Sequence, residues 1–224
     1  MTAIVATDLS KSYGDAPALG PLDLTVETGQ RLVLLGHNGS GKTTLLRMVA
    51  GMLDVTTGTI RVAGHEVGSL EARAFTSFLG DQPVFYDDLS LWEHLEYIAR
   101  LHETGGWEEH AVELLELLGL SDRADDLPTT FSRGLRQKAA IAIAFVRPFE
   151  VMLVDEPFIG LDRTGRDALL ELFRLAHGQG AALVVATHEL TTVSESDRIV
   201  ALRDGVVIYD GLVADADVDA LVVH

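Results

Sequence analysis

The chain has 224 residues, with 34 acidic against 17 basic side chains and a formal net charge of −17. That length suits one large domain or two small ones and allows a sizeable buried core. The only lysines are Lys11, Lys42 and Lys138. Nonspecific nucleic-acid binding and attachment to an anionic membrane by charge alone both need clustered cations, so neither is expected. With no cysteine, disulfides, thiolate catalysis and zinc–thiolate sites are excluded.

Residues Met1–Ser10 lack a positive leader and a long apolar run. The longest apolar stretch, Ala139–Val146, is far short of the roughly 20 residues a membrane helix needs. A cytoplasmic chain is therefore expected. Strands are predicted over Ile4–Asp8, Leu22–Val26, Arg31–Leu35 and Thr59–Val62, punctuated by Gly29, Gly36, Gly58 and Gly64. A helix should start within Gly41–Thr43 and end near Gly51. From Leu91 to about Val146 the apolar spacing turns helical, with Pro128 setting off a last helix over Gly134–Val146. Val151–Val154 reads as a buried strand, Asp167–Leu175 as a helix and Ala182–Ala186 as a second buried strand. Arg198–Leu202 and Val206–Tyr209 read as a hairpin around Asp204-Gly205. Buried strands alternating with helices imply a mostly parallel sheet, which binds ligands at the carboxyl ends of its strands.

The motifs fall at those ends. Gly36-His37-Asn38-Gly39-Ser40-Gly41-Lys42-Thr43 fits G-x-x-x-x-G-K-[ST] between a strand and a helix. Glycines let backbone N–H groups from Gly39 to Thr44 turn toward phosphate oxygens, and the helix N-terminus adds positive field. Lys42 should reach the outer phosphates of a nucleotide, and Thr43 should ligate Mg²⁺. In Val151–Pro157 four apolar residues deliver Asp155 and Glu156 at a strand end. Asp155 suits the Mg²⁺ shell and Glu156 suits polarising an attacking water.

Taken together these residues resemble the nucleotide-binding subunit of an ABC transporter, over nearly the whole chain. The resemblance implies an α/β fold: a RecA-like P-loop NTPase core with a mostly parallel sheet, an N-terminal antiparallel β subdomain and a helical insert. It implies one nucleotide-binding domain over 1–224, with the core and β subdomain at about 1–82 and 150–224 and the helical signature subdomain at about 83–149. Tyr13 resembles the aromatic that stacks on adenine; the alternative for that residue is a core or edge tyrosine. Gln82 resembles the residue that joins the core to the insert and touches Mg²⁺ and the attacking water. Phe131-Ser132-Arg133-Gly134-Leu135 is similar to the signature usually written Leu-Ser-Gly-Gly-Gln. Ser132 and Gly134 match it and would meet a γ-phosphate, while Ser132 also suits an ordinary helix cap. Arg133 and Leu135 depart from the common form, a variant similar to that of ATPases paired with export permeases.

Ile159-Gly160-Leu161-Asp162 resembles the loop that crosses the family's dimer interface, although Ile159 replaces a small residue and Asp162 also suits a helix cap. His188 resembles the γ-phosphate switch histidine. The other histidines, His65, His94 and His110 among them, show no metal spacing and read as surface or loop residues. The resemblance implies ATP and Mg²⁺ as cofactors, and a second nucleotide-binding subunit, identical or related, that closes head-to-tail on two nucleotides. It also implies a membrane permease that holds the chain on the cytoplasmic face. Pro83–Tyr86, with Leu91 and Trp92, offers apolar and aromatic groups for docking that permease, or for packing within the insert. The residues after Arg203 contain five aspartates and no Lys or Arg. That short tail and the signature variant together favour export over import. A P-loop kinase would not need the Ser132–Gly134 pair or His188. A nucleic-acid ATPase of this class usually adds arms, zinc modules or a second cassette.

Overall fold

The computed structural model describes residues 1–187 and 190–222. Strands β1 (Thr2–Tyr13), β2 (Ala16–Glu27), β4 (Thr57–Val62) and β5 (His65–Glu66) form an antiparallel sheet in the order β2-β1-β4-β5. β1 and β2 both extend well beyond the spans predicted from sequence. β1 continues past Asp8 because that residue takes a left-handed φ of 48° at a register irregularity, its N–H held by the Asp23 carboxylate at 2.8 Å. β2 tolerates Pro17 and Pro21 because it lies at the sheet edge. Opposite the irregularity sits Gly58, where a Cβ would come within 2.4 Å of the Thr7 and Asp8 carbonyls.

The second sheet has the order β10-β9-β3-β8-β7-β6. β3 (Arg31–Leu35), β7 (Val151–Asp155), β8 (Ala182–Ala186) and β9 (Arg198–Arg203) pair in parallel, while β10 (Val206–Leu212) turns back antiparallel on β9 and β6 (Thr76–Leu79) forms the other edge. Every residue of β7 and β8 is buried, as expected of central parallel strands read as unbroken apolar runs. The strand period of two splits the core. Leu32 and Leu34 join Ile4, Leu24, Ile60, Leu153 and Val184 with Leu45, Leu46 and Met48 of α1 (Lys42–Val49), whereas Val33 and Leu35 join Ile199, Ala201 and Val193 on the opposite face. The short α2 (Leu70–Phe75) precedes β6; its six residues are too few to show a helical period in the sequence.

The chain divides into two compact units. One holds Met1–Phe78, Phe149–Glu156 and the described residues from Ala176 onward; the other holds Leu79–Pro148 and Pro157–Leu175. The second is helical, with α3 (Leu91–Leu101), α4 (Trp107–Leu118), α5 (Arg133–Phe145) and the first turns of α6 (Arg163–Gly178). A reciprocal capping box between Ser90 and Glu93 starts α3, and glycines in left-handed conformation bound α4 at Gly106 and Gly119. Trp92 and Trp107 lie 5.2 Å apart between ring centres, and Phe145 meets Phe173 of α6 at 6.3 Å. Two short helices, α7 (Leu190–Ser194) and α8 (Val218–Val222), complete the described chain.

The structure corrects one sequence expectation here and decides between two readings of another residue. His94 is no surface residue; it is 4% exposed on α3. Leu91, the first residue of α3, is fully buried, so of its two readings it packs within the insert. Among the described residues no helix is long and apolar enough to cross a membrane.

Leu153 is fully buried at the centre of the larger core. Leu153→Ala should lower unfolding free energy by about 3 kcal/mol, read from the denaturation midpoint at unchanged m value.

Candidate nucleotide site

The phosphate loop follows β3 and runs into α1. Three of its glycines have positive φ: Gly36 at 147°, Gly39 at 85° and Gly41 at 107°. They serve different ends. A Cβ at Gly36 would lie 2.2 Å from the Leu202 carbonyl and 2.5 Å from Ser40 Oγ, and one at Gly41 would press on Leu19 and the Ala18 carbonyl. At Gly39 nothing lies within 4 Å of the Cβ position, so that side of the loop is open. The Asp204-Gly205 turn of the β9–β10 hairpin braces the loop from behind. Gly205 N–H donates to the Ser40 carbonyl at 3.1 Å, Gly20 N–H donates to the Gly205 carbonyl at 2.6 Å, and His37 Nε2 lies 3.5 Å from the Asp204 carboxylate.

The N-terminus of α1 carries no side-chain cap, which leaves its first N–H groups to a ligand. Ser40 Oγ is buried without a hydrogen-bond partner. Lys42 is buried, and its ammonium donates to the carbonyls of Gly36 at 2.6 Å and His37 at 3.1 Å. Burial lowers the Lys42 pKa, opposed by the nearby charges of Glu156 and Asp155. Asp155 ends β7 and is 1% exposed. Glu156 follows in the left-handed region at φ 43°, with its N–H donated to the Ala186 carbonyl at 2.8 Å. A non-glycine residue there costs on the order of 1 kcal/mol or more, and the conformation follows the end of β7 at Asp155. The donors near the loop, the Thr43 hydroxyl and the Asp155 carboxylate, are hard oxygens that suit Mg²⁺. Among the described residues no three His, Asp or Glu side chains cluster as a self-sufficient metal site. An ion here would therefore share its shell with phosphate oxygens, as Mg²⁺ commonly does.

Tyr13 ends β1 with its ring 56% exposed, so it is not a core tyrosine. The Lys11 ammonium sits 5.2 Å from the ring centre and donates to the Asp54 carbonyl at 2.7 Å. Thr44 is half-buried in the first turn of α1. His188 lies outside the described residues.

The second unit brings together the signature and the loop after Pro157. Ser132 caps α5, accepting from Leu135 N–H at 3.4 Å, and is exposed. Gly134 is required by close approach, because a Cβ there would lie 2.6 Å from the Gly160 carbonyl. Gly160 in turn has φ +84° and lies under the Arg133 side chain, its Cβ position 3.3 Å from Arg133 Cγ. Gln137 donates to the Pro157 carbonyl at 3.1 Å, and the buried Lys138 binds both Asp162 oxygens at 3.1 and 3.2 Å. Asp162 also accepts from Gly165 N–H at 2.8 Å, so it caps α6 as well. A Cβ at Gly165 would meet Lys138 Cε at 2.7 Å and Asp162 Oδ1 at 3.0 Å, so a side chain there would displace the Lys138 end that reaches Asp162. The sequence reading passed over Gln137, Lys138 and Gly165. The scarcity of lysine was the one available signal, since a rare lysine two turns into an apolar helix needs a partner. Gln82 is exposed, three residues beyond the end of β6. Of the proposed docking residues, Val84 and Tyr86 are exposed, while Trp92 packs against Trp107.

A glycine-rich loop between a strand and a helix, beside a second strand ending in Asp155-Glu156, defines a P-loop nucleotide hydrolase. The family model described as "ABC transporter" matches residues 19–159. The SkfA peptide export ATP-binding protein SkfE of Bacillus subtilis is 30% identical over 94% of this chain and 89% of its own length. A solved ATP-binding subunit of an ABC transporter is 29% identical with a TM-score of 0.92, covering 98% of both chains. A dimeric ATP-binding cassette in a post-hydrolysis state with ADP and Pi is 25% identical with a TM-score of 0.86, covering 94% of this chain and 98% of its own. The chain belongs to the ABC transporter family as an ATP-binding subunit, and it is an ATPase.

The Asp162 carboxyl is held below its ordinary value of 3.8, first by the Gly165 N–H and then by Lys138. A depressed folded-state pKa gives stabilisation that is present above the unfolded value and lost as pH falls through the folded one. Lys138→Met should raise the Asp162 pKa toward its ordinary value and narrow that acid window. NMR titration of the Asp162 carboxyl checks this; an unshifted titration would contradict the pairing.

Proposed function

We propose that the chain binds MgATP at the phosphate loop and hydrolyses it to drive a separate membrane permease, of export type. The observation that carries this reading is Lys42, a buried ammonium wrapped in loop carbonyls while facing Asp155 and Glu156. Phosphate oxygens would give this ammonium charged acceptors in place of the neutral carbonyls of Gly36 and His37. The backbone from Gly36 through Asn38, Gly39, Ser40 and Gly41 to Thr43 and Thr44 lines the phosphates, and Tyr13 offers its exposed ring to the base. Mg²⁺, held by Thr43 and Asp155, would supply charge to the β- and γ-phosphates, and the family resemblance gives Gln82 its role toward metal and water. Glu156 polarises the attacking water, and Lys42 and His188 stabilise charge on the γ-phosphate.

A second nucleotide-binding subunit, identical or related, offers its Ser132–Gly134 signature to the nucleotide, with the Asp162 loop alongside. Closure follows from preferential binding of ATP by the closed arrangement. The close packing of Gly134, Gly160 and Lys138 with Asp162 supports this reading, because signature and loop then move as one block. The permease places the chain on the cytoplasmic face of the membrane. Export is supported by the signature variant and by the relative named for peptide export.

Glu156→Gln should lower turnover by about 100-fold or more, the usual span for a lost general base, while promoting a nucleotide-bound dimer. Phosphate release and sizing chromatography with ATP read the two effects, and normal turnover would remove Glu156 from the mechanism. Lys42→Ala should weaken ATP binding by about tenfold or more; unchanged affinity by calorimetry would refute the phosphate-loop assignment.

A further inference from the structure

His94 is a buried titratable side chain that the phosphate chemistry leaves unused. On α3 it is 4% exposed, yet both ring nitrogens are engaged. Nδ1 lies 2.7 Å from the Ser90 carbonyl and Nε2 lies 2.9 Å from the backbone N–H of Tyr86. A backbone N–H only donates, so Nε2 must present its lone pair, and the ring proton sits on Nδ1, where it donates to Ser90. Ser90 is itself fixed by the capping box: its N–H donates to Glu93 at 2.7 Å, and its hydroxyl accepts from Glu93 N–H at 3.2 Å. The His94 ring meets Phe85 edge-on at 5.6 Å and Tyr86 at 5.9 Å, and Tyr86 meets Tyr97 edge-on at 5.5 Å.

The stretch these contacts hold joins β6 to α3 without regular structure of its own. It begins near Gln82 and turns Val84 outward, 94% exposed. Such a stretch has no ladder to set its path, so the Tyr86 N–H bond to a rigid helix defines where its backbone lies. We infer that His94 is a positioning residue: by accepting the Tyr86 N–H it fixes the conformation of the segment that carries Gln82. The inference rests on the reading of Gln82 as a group that touches metal and water.

Three substitutions separate the hydrogen bond from mere filling of space. His94→Gln places an amide oxygen where Nε2 stood and keeps an acceptor for Tyr86. His94→Asn keeps only a donor toward Ser90, and His94→Phe keeps the ring volume without either bond. In the purified full chain, hydrogen exchange reads the Tyr86 amide directly, and near-ultraviolet circular dichroism from Trp92 and Trp107 reports that the helical unit is folded. His94→Asn and His94→Phe should exchange the Tyr86 amide about tenfold faster or more, with wild-type protection elsewhere in α3. Their kcat for ATP should fall about tenfold with KM for ATP within about twofold, as for a displaced group that acts in the transition state. His94→Gln should restore both.

Wild-type Tyr86 exchange in His94→Asn would overturn the inference, as would lost protection with wild-type kcat, or a His94→Gln chain as impaired as His94→Asn. Gln82→Ala separates the two readings. A slow Gln82→Ala chain beside a normal His94→Asn chain overturns the role of His94 and leaves Gln82 standing. A normal Gln82→Ala chain beside a slow His94→Asn chain overturns the role of Gln82 and leaves the tether standing.

Discussion

The first unit is arranged around an ammonium ion taken out of water. Lys42 is 6% exposed, and it donates to the carbonyls of Gly36 and His37. Burying a charge is costly unless it is well paired, so the loop must hold those carbonyls inward. Gly36, Gly39 and Gly41 supply the positive φ values that such an inward turn requires. Asp155 and Glu156 supply the opposing field that keeps the lysine pKa from falling further. An acidic chain thus holds a buried ammonium at this loop without a basic surface. Net charge describes the exterior, whereas a phosphate at this loop would meet local groups: backbone N–H donors, one helix terminus and one lysine.

The loop depends on elements distant in sequence. The β9–β10 hairpin presses on it through Leu202, Asp204 and Gly205, and Gly20 of β2 ties the turn in place. Position 36 is glycine because a carbonyl from residue 202 occupies the space a Cβ would take. The sheet order makes this possible, since β9 lies directly beside β3 with residues 32 to 35 registered against 198 to 201. The shape of the loop thus depends on the parallel pairing of β9 with β3.

In the helical unit the same logic recurs with different chemistry. Gly134, Gly160 and Gly165 allow close approach, and Gln137 and Lys138 then bind the Pro157–Gly165 segment to α5. The departures at Arg133 and Leu135 leave that packing intact: the Arg133 stem lies along Gly160, whose missing side chain makes room for it. Leu135 gives its N–H to the Ser132 cap. A change of residue in the signature is therefore compatible with its helix start and with its grip on the following loop.

Much of this was legible in one dimension because the signals are local. The phosphate loop, the apolar strand ending in Asp155-Glu156, and the Asp204-Gly205 turn depend on φ preferences, helix starts and short apolar runs within a few residues of each other. The length of β1 was not legible, because Asp8 breaks the pattern and only pairing on both sides carries the strand past it. Nor was the burial of His94, since a lone histidine on a helix has no neighbour in sequence that reveals the Tyr86 N–H it accepts. The sequence alone determined the nucleotide chemistry and the family, through residue types at fixed spacing. Tertiary structure alone decided which glycines serve close approach rather than turning, which acids are committed to lysine or helix caps, and which aromatic groups face outward. Those properties belong to atoms brought together across long stretches of chain.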